Sequence, residues 1–136
     1  MELRFRCITR GAAAIAAAVC VGAVCLGAAA GQAADVEKGK AAFTRQCLVC
    51  HTIEKGDPDR FGPNLSGIVG KKAGSAPEFA YTRAFKTAAN WEWTEDALAS
   101  WIMFPGVMVP GTAMGIFQGV AERDRDDIVA YLASKK

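Results

Sequence analysis

Cys47-Leu48-Val49-Cys50-His51 is the stretch on which the reading of this chain turns. Two thiols three residues apart, with an imidazole directly after them, have the spacing of a c-type haem attachment site. Each thiol can add to one haem vinyl group and form a thioether. The next residue then lies beneath the iron, where its ring nitrogen can bind axially. His51 is the only histidine in the sequence, so no other residue can supply that imidazole. Two other chemistries use Cys-x-x-Cys. A thioredoxin-like dithiol sits beside a βαβ pattern, and none is visible here. A closed structural zinc site needs four Cys or His ligands. Past residue 34 the chain offers Cys47, Cys50 and His51 alone. The motif therefore implies one covalent haem c per chain, with His51 as an iron ligand.

Working outward, the residues before the motif carry a helical pattern from Asp35, with Val36, Phe43 and Cys47 near one face. Gly39 lies inside it. A helix-interior glycine costs about 1 kcal/mol relative to alanine and usually marks close approach by another element. The last stretch of the chain is a second helix. Asp124 is its expected N-cap, with Asp126 and Asp127 in the first turn and Lys135 and Lys136 at the C-terminal end. Ile128, Tyr131 and Leu132 form its apolar face. This face can pack across the first helix near Gly39 or elsewhere on the core, and periodicity alone does not choose.

Between these helices, Phe61-Gly62-Pro63-Asn64-Leu65 reads as a turn, and Gly67, Gly70 and Gly74 continue an irregular segment. Thr94 is placed to cap a helix running from Glu95 to Phe104, with Leu98, Trp101 and Ile102 inward. Pro105 and Gly106 end it. No strand pattern and no internal repeat stand out, so the fold class is all-α. Three methionines follow the motif: Met103, Met108 and Met114. Methionine is both a common haem ligand and a common core filler. Met103 sits inside the helix and suits the core, while Met108 suits either role. Met114 follows Pro110-Gly111-Thr112-Ala113, a turn suited to presenting one side chain, and is favoured as the second iron ligand.

The start of the chain reads as an export signal over residues 1–34, leaving a domain over 35–136. Arg4, Arg6 and Arg10 precede twenty uncharged residues, Gly11 to Ala30, and Gly31-Gln32-Ala33-Ala34 offers cleavage after Ala33 or Ala34. An uncleaved anchor over 11–30 is the alternative, since twenty helical residues span about 30 Å. Either way the domain is expected outside the cytoplasm, in the periplasm. The formal charge of +2 comes from 16 Lys and Arg against 14 Asp and Glu. The signal holds three of the former and one of the latter, so 35–136 is formally neutral at 13 each. A nucleic-acid partner is not supported.

With these residues in hand, the chain from about Val36 to Leu132 resembles a class I cytochrome c, the small soluble mitochondrial and bacterial c2-type carriers. The resemblance implies crossing N- and C-terminal helices, with a further helix and loops wrapped around one haem. Gly62-Pro63-Asn64-Leu65 is similar to the loop whose proline carbonyl holds the second nitrogen of the axial histidine. Ala76-Pro77 through Tyr81 is similar to the loop under the haem propionates, with Tyr81 as a donor. Trp93 matches a tryptophan that also bonds a propionate. Pro110-Gly111-Thr112 with Met114 resembles the distal-ligand loop. The resemblance implies a monomeric one-electron carrier rather than an enzyme. Its partners would be redox proteins: a membrane electron-transfer complex, an oxidase, a reaction centre or an exported dehydrogenase. Membrane contact is expected only if residues 11–30 are retained.

The departures from the family pattern bear on function. Lysines that ring the haem edge in many members are replaced by Gln46, Ala113, Gly106 and Val107, and by Ala121 and Glu122 near the last helix. Lys55, Lys71, Lys72 and Lys86 remain. An apolar docking patch of Val107, Met108, Ile116 and Phe117 is the expectation, unless some of these side chains cover the haem instead. Trp101 stands where a tyrosine is usual near the distal methionine, and Phe85 where asparagine is common. Both make the surroundings drier, which predicts a relatively high potential. No paired acids or activated nucleophile are evident. A gas- or peroxide-binding haem stays open if Met114 is loosely held, and a tethered redox module if the anchor persists.

Overall fold

Asp35 begins the ordered helical framework. Its carboxylate accepts from the amides of Glu37 and Lys38 at 3.0 and 3.1 Å, satisfying two of the donors that a helix start leaves free. The computed structural model describes residues 33–136. The expected export signal over 1–34 therefore lies, but for its last two residues, outside the described residues. The helix that follows Asp35 is α1, Val36–Gln46, which buries Gly39, Ala42 and Phe43. Val36 is exposed rather than inward. It sits one turn ahead of the packing contact, so the buried set begins at Gly39.

The partner of α1 is the last helix, α5, Glu122–Ser134. A β-carbon on Gly39 would stand 1.8 Å from the Asp127 carbonyl oxygen and 2.9 Å from the Tyr131 β-carbon. Only glycine lets the two backbones meet so closely, and the helices cross there. Ile128 is fully buried beneath the crossing. Phe43 and Tyr131 rings pack at 5.4 Å between centroids. The start of α5 differs from the expected one. Its N-cap is Ala121, and the Asp124 amide already donates to the Ala121 carbonyl at 2.8 Å. Asp124 is thus a first-turn residue, with its carboxylate taken by the Gln46 amide at 2.9 Å. Lys135 does not sit in the last turn. It follows α5, pairs through its ammonium with Glu54, and accepts at its carbonyl from the Gly67 amide at 2.7 Å.

Thr94 caps α3, Glu95–Met103, accepting from the Ala97 amide at 3.1 Å. Leu98, Trp101 and Ile102 face inward, as expected. Phe104 leaves helical geometry at φ −143°, ψ 56°. Pro105 ends α3 yet opens a one-turn helix, α4, Pro105–Met108. Proline fits the first turn because that amide has no intrahelical acceptor anyway. A short helix absent from the sequence reading, α2, Arg83–Ala88, is capped by Thr82, whose hydroxyl accepts from the Phe85 amide at 3.2 Å. A 3₁₀ turn covers Ala113–Ile116. Among the described residues the extended structure amounts to one isolated bridge, Lys72 to Glu92. The fold is all-α, with helices and loops arranged around one apolar cleft.

Candidate haem site

The cleft begins where α1 stops. The Cys47, Leu48, Cys50 and His51 amides all turn back on carbonyls of Phe43 or Cys47, at 2.8–3.1 Å. This tight chain reversal brings Cys47, Cys50 and His51 onto one wall. Both thiols are unpaired with one another. Burial pushes the Cys47 thiol up to about 12, so it is a poor thiolate and a poor metal ligand.

The His51 ring is held from two sides. Its Nδ1 lies 2.8 Å from the Pro63 carbonyl oxygen, an acceptor, so Nδ1 carries the proton and Nε2 is left as the free base. Behind the ring sits Gly62, where a β-carbon would fall 2.2 Å from the imidazole Cε1. Burial lowers the pKa of His51 from its ordinary value and favours the neutral ring, an effect the Pro63 bond partly opposes.

The loop that delivers Gly62 and Pro63 is braced by groups the sequence reading did not single out. The Gly62 amide donates to the Cys50 carbonyl at 2.7 Å. Arg60 Nη1 donates to the Leu48 carbonyl at 2.6 Å. The Asn64 side-chain amide donates to Thr52 Oγ1 at 2.8 Å and to the Glu54 carbonyl at 2.9 Å. Thr52, a buried hydroxyl, donates in turn to the Pro58 carbonyl at 2.9 Å. Asp59 accepts from the Asn64 amide at 2.7 Å. Asp57-Pro58, a turn-forming pair ahead of the turn already read at Phe61 to Leu65, was the available signal.

Thr112 and Met114 line the same cleft. Met114 rides on the 3₁₀ turn, half-buried. Trp101 Nε1 donates to its sulfur at 2.9 Å. One sulfur lone pair is thereby occupied and the other is left free. Met103 is partly buried against the core and Met108 lies at the surface. Neither lines the cleft.

Tyr81 and Trp93 lie along the floor with Phe85. The Tyr81 hydroxyl accepts from the Ala76 amide at 3.4 Å and keeps its own proton for another acceptor. Burial raises its pKa, so it remains a donor at neutral pH. Phe85 stacks on Tyr81 at 5.1 Å and meets Trp101 edge-on at 5.3 Å. Trp93 packs edge-on against Trp101 at 5.6 Å. Leu65, Ile68, Leu98, Ile128 and Leu132 complete an apolar lining. A flat apolar macrocycle fits these walls: two thiols for its vinyl groups, one imidazole, one thioether, and a few polar side chains, among them Gln46, Tyr81, Thr82 and Thr112.

α4 packs against the 3₁₀ turn that carries Met114, and on this rim Val107 and Ile116 are 79% and 70% exposed, with Met108 and Phe104 also at the surface. Phe117 differs from the expected patch. It is half-buried and lines the cleft, so it covers the site rather than facing solvent.

Comparison with known proteins agrees with this site. The cytochrome c family model matches residues 36–136. A cytochrome c homolog of Bradyrhizobium diazoefficiens is 46% identical over 105 residues, covering 76% of this chain and 55% of that relative. The chain thus spans about half the length of that protein. Cytochrome c of Kluyveromyces lactis is 38% identical over 96 residues, covering 71% of this chain and 86% of the relative. Cytochrome c of Gibberella zeae is 39% identical over 99 residues, covering 72% and 92%.

Proposed function

The chain belongs to the cytochrome c family, and on that premise we propose that it is an exported one-electron carrier whose haem c is ligated by His51 and Met114. As in the family, the haem is covalent, through Cys47 and Cys50. The observation that carries the ligand assignment is the pairing across one apolar cleft of a neutral imidazole and a half-hydrogen-bonded thioether. His51 faces it with Nε2 free, and Met114 faces it with one lone pair free.

When bound, haem c supplies an iron that takes up and gives up a single electron. The chain's own residues keep that exchange fast and clean. Pro63 and Gly62 fix the His51 ring, and Trp101 fixes the Met114 sulfur, so neither ligand has to move between oxidation states. Leu65, Ile68, Leu98 and Leu132 exclude water. Tyr81 and Trp93 are the proposed donors to the propionates, and Thr112 is proposed to position the strand that leads to Met114. Electrons would then pass to and from redox proteins through the exposed rim, with a membrane complex, oxidase, reaction centre or exported dehydrogenase as partner classes. Among the described residues no helix is long and apolar enough to cross a membrane. Periplasmic placement rests on the sequence of residues 1–34.

The test is addition of CO to the reduced holoprotein at neutral pH, followed by the haem spectrum. An unchanged spectrum is expected, because a held Met114 closes the sixth position. Rapid CO binding would overturn the Met114 assignment and with it the carrier reading, in favour of a gas- or peroxide-binding haem.

A further inference from the structure

The Asp35 amide nitrogen lies 2.7 Å from Asp127 Oδ1, across 92 residues of sequence, and donates to it. Asp127 belongs to α5 at the point where Gly39 touches its backbone, so the crossing itself fixes where this carboxylate sits. The Asp35 carboxylate is already engaged by the Glu37 and Lys38 amides and by the Lys38 ammonium at 3.5 Å. Asp127 alone serves the nitrogen. Immediately before it stand Ala33 and Ala34, small and exposed. The sequence allows cleavage after either one.

We infer that processing falls between Ala34 and Asp35, and that the new α-ammonium of Asp35 forms an ion pair with Asp127 that fastens α1 to α5. This rests on the export reading above. The step is hydrolysis by a leader peptidase. Water adds across the Ala34–Asp35 bond, Ala34 leaves as a carboxylate, and the Asp35 amine takes up a proton. An amide donor at 2.7 Å thereby becomes a charged donor to the same oxygen, a stronger class of hydrogen bond.

The surroundings favour the added charge. From α1, Lys38 and Arg45 face the groove; from α5, Glu122, Arg123, Asp124 and Asp126 do so. With Asp35 and Asp127, and with Arg125 bonded to Asp126 at 2.7 Å, five carboxylates stand against four cations. The start of the α1 dipole disfavours a cation there, and this excess of acid offsets it. Cleavage after Ala33 would leave an ordinary amide at Asp35 and place the ammonium one residue away from Asp127. Only cleavage after Ala34 puts the ammonium on the nitrogen that Asp127 already holds.

The sign of the pH effect follows. The pair raises the folded-state pKa of the α-amine above its unfolded value of about 7.7–8.0. Its stabilisation is fully present below that range and is lost as pH rises through the raised folded value.

The experiment uses the exported holoprotein, wild type and Asp127→Asn. Intact-mass measurement gives the first residue. The pH dependence of selective α-amine acylation gives its pKa, and thermal midpoints are followed across the same pH range. Asparagine keeps a carbonyl acceptor, so the variant retains a partner for the nitrogen and folds. The expected results are a chain starting at Asp35 and an α-amine titrating above the ordinary range in wild type but within it in D127N. The thermal midpoint falls with rising pH in wild type alone. A chain starting at Ala34, or one uncleaved, overturns the inference. The first leaves the exported, cleaved carrier intact, and the second points to a tethered module. A chain starting at Asp35 whose α-amine titrates normally in both proteins overturns the ion pair and leaves the cleavage position standing.

Discussion

Gly62 has no β-carbon because the His51 imidazole occupies the place where one would stand. The overlap at 2.2 Å is with an atom of a ring that cannot fold away. In Gly62→Ala the ring must turn, and its bond to the Pro63 carbonyl is lost with it. Overpacking of this kind costs about 1–3 kcal/mol, and the expected outcome is a lower denaturant midpoint together with an altered haem spectrum. Gly56 provides the control. It has φ +87° and nothing within 4 Å of its would-be β-carbon. Gly56→Ala therefore meets backbone strain alone, about 1–2 kcal/mol, and should leave the spectrum unchanged. Trp101 tests the proposed ligand Met114. Its N–H donates to the Met114 sulfur, and in the ligated protein this would draw electron density from the thioether, weaken its donation to the iron and favour the reduced state. Trp101→Phe removes that bond while keeping an aromatic ring. With a hydrogen bond worth about 1 kcal/mol net, the midpoint potential should fall by up to roughly 40 mV, measured by redox titration. A rise in potential would count against the bond acting on the sulfur. At this scale the sequence was readable where a residue type is irreplaceable. His51 had no rival, and Met114 had two. The indole-to-sulfur contact was not readable, because only the fold brings residues 101 and 114 within 2.9 Å.

The two terminal helices act as one element joined at a single point. Gly39→Ala should gain about 1 kcal/mol of helix propensity. Against this, the new methyl would meet the Asp127 carbonyl oxygen at 1.8 Å, backbone that cannot rotate aside. The helices must separate, and Ile128, buried beneath them, loses its packing. A net destabilisation of about 2 kcal/mol or more is expected on overpacking alone, read from guanidinium unfolding of the holoprotein. Stabilisation would mean that the crossing is loose. The existence of α1, α3 and α5 was visible in the sequence from their apolar spacing, and for α3 spacing and cap agree, as Thr94 with Leu98, Trp101 and Ile102 shows. Boundaries were less so. Asp124 is a good cap by type, yet the chain turns helical at Glu122, since the Asp124 carboxylate is better used on Gln46. The helix α2 was not foreseen. Six residues, Arg83–Ala88, bury only Phe85 and give no periodic pattern to read. Its signal was Thr82 alone.

For the whole molecule, what matters is how its surface meets a partner. The domain over 35–136 is formally neutral, and the rim of the cleft carries Val107, Met108 and Ile116 where charge would steer an encounter. Of the remaining lysines, Lys71 donates to the Ser66 carbonyl at 2.7 Å. Lys86 lies over the Tyr81 ring at 5.5 Å from its centroid. Each is tied to a neighbouring part of its own chain. Steering by surface charge raises association rates at low salt and fades as the Debye length falls from about 30 Å at 0.01 M to about 10 Å at 0.1 M. An encounter driven by apolar area has no such dependence, since burial is not screened. The bimolecular rate of electron transfer from this protein to its physiological oxidant should therefore change less than about threefold between 0.01 and 0.2 M salt, measured by stopped flow. Val107→Lys should restore a salt dependence, with the direction set by the partner's charge. Val107→Asp should reverse it while leaving the haem potential unchanged, since Val107 does not line the cleft. A rate for the unsubstituted protein that drops tenfold or more over the same range would show that distant charges, not this rim, bring the partner in.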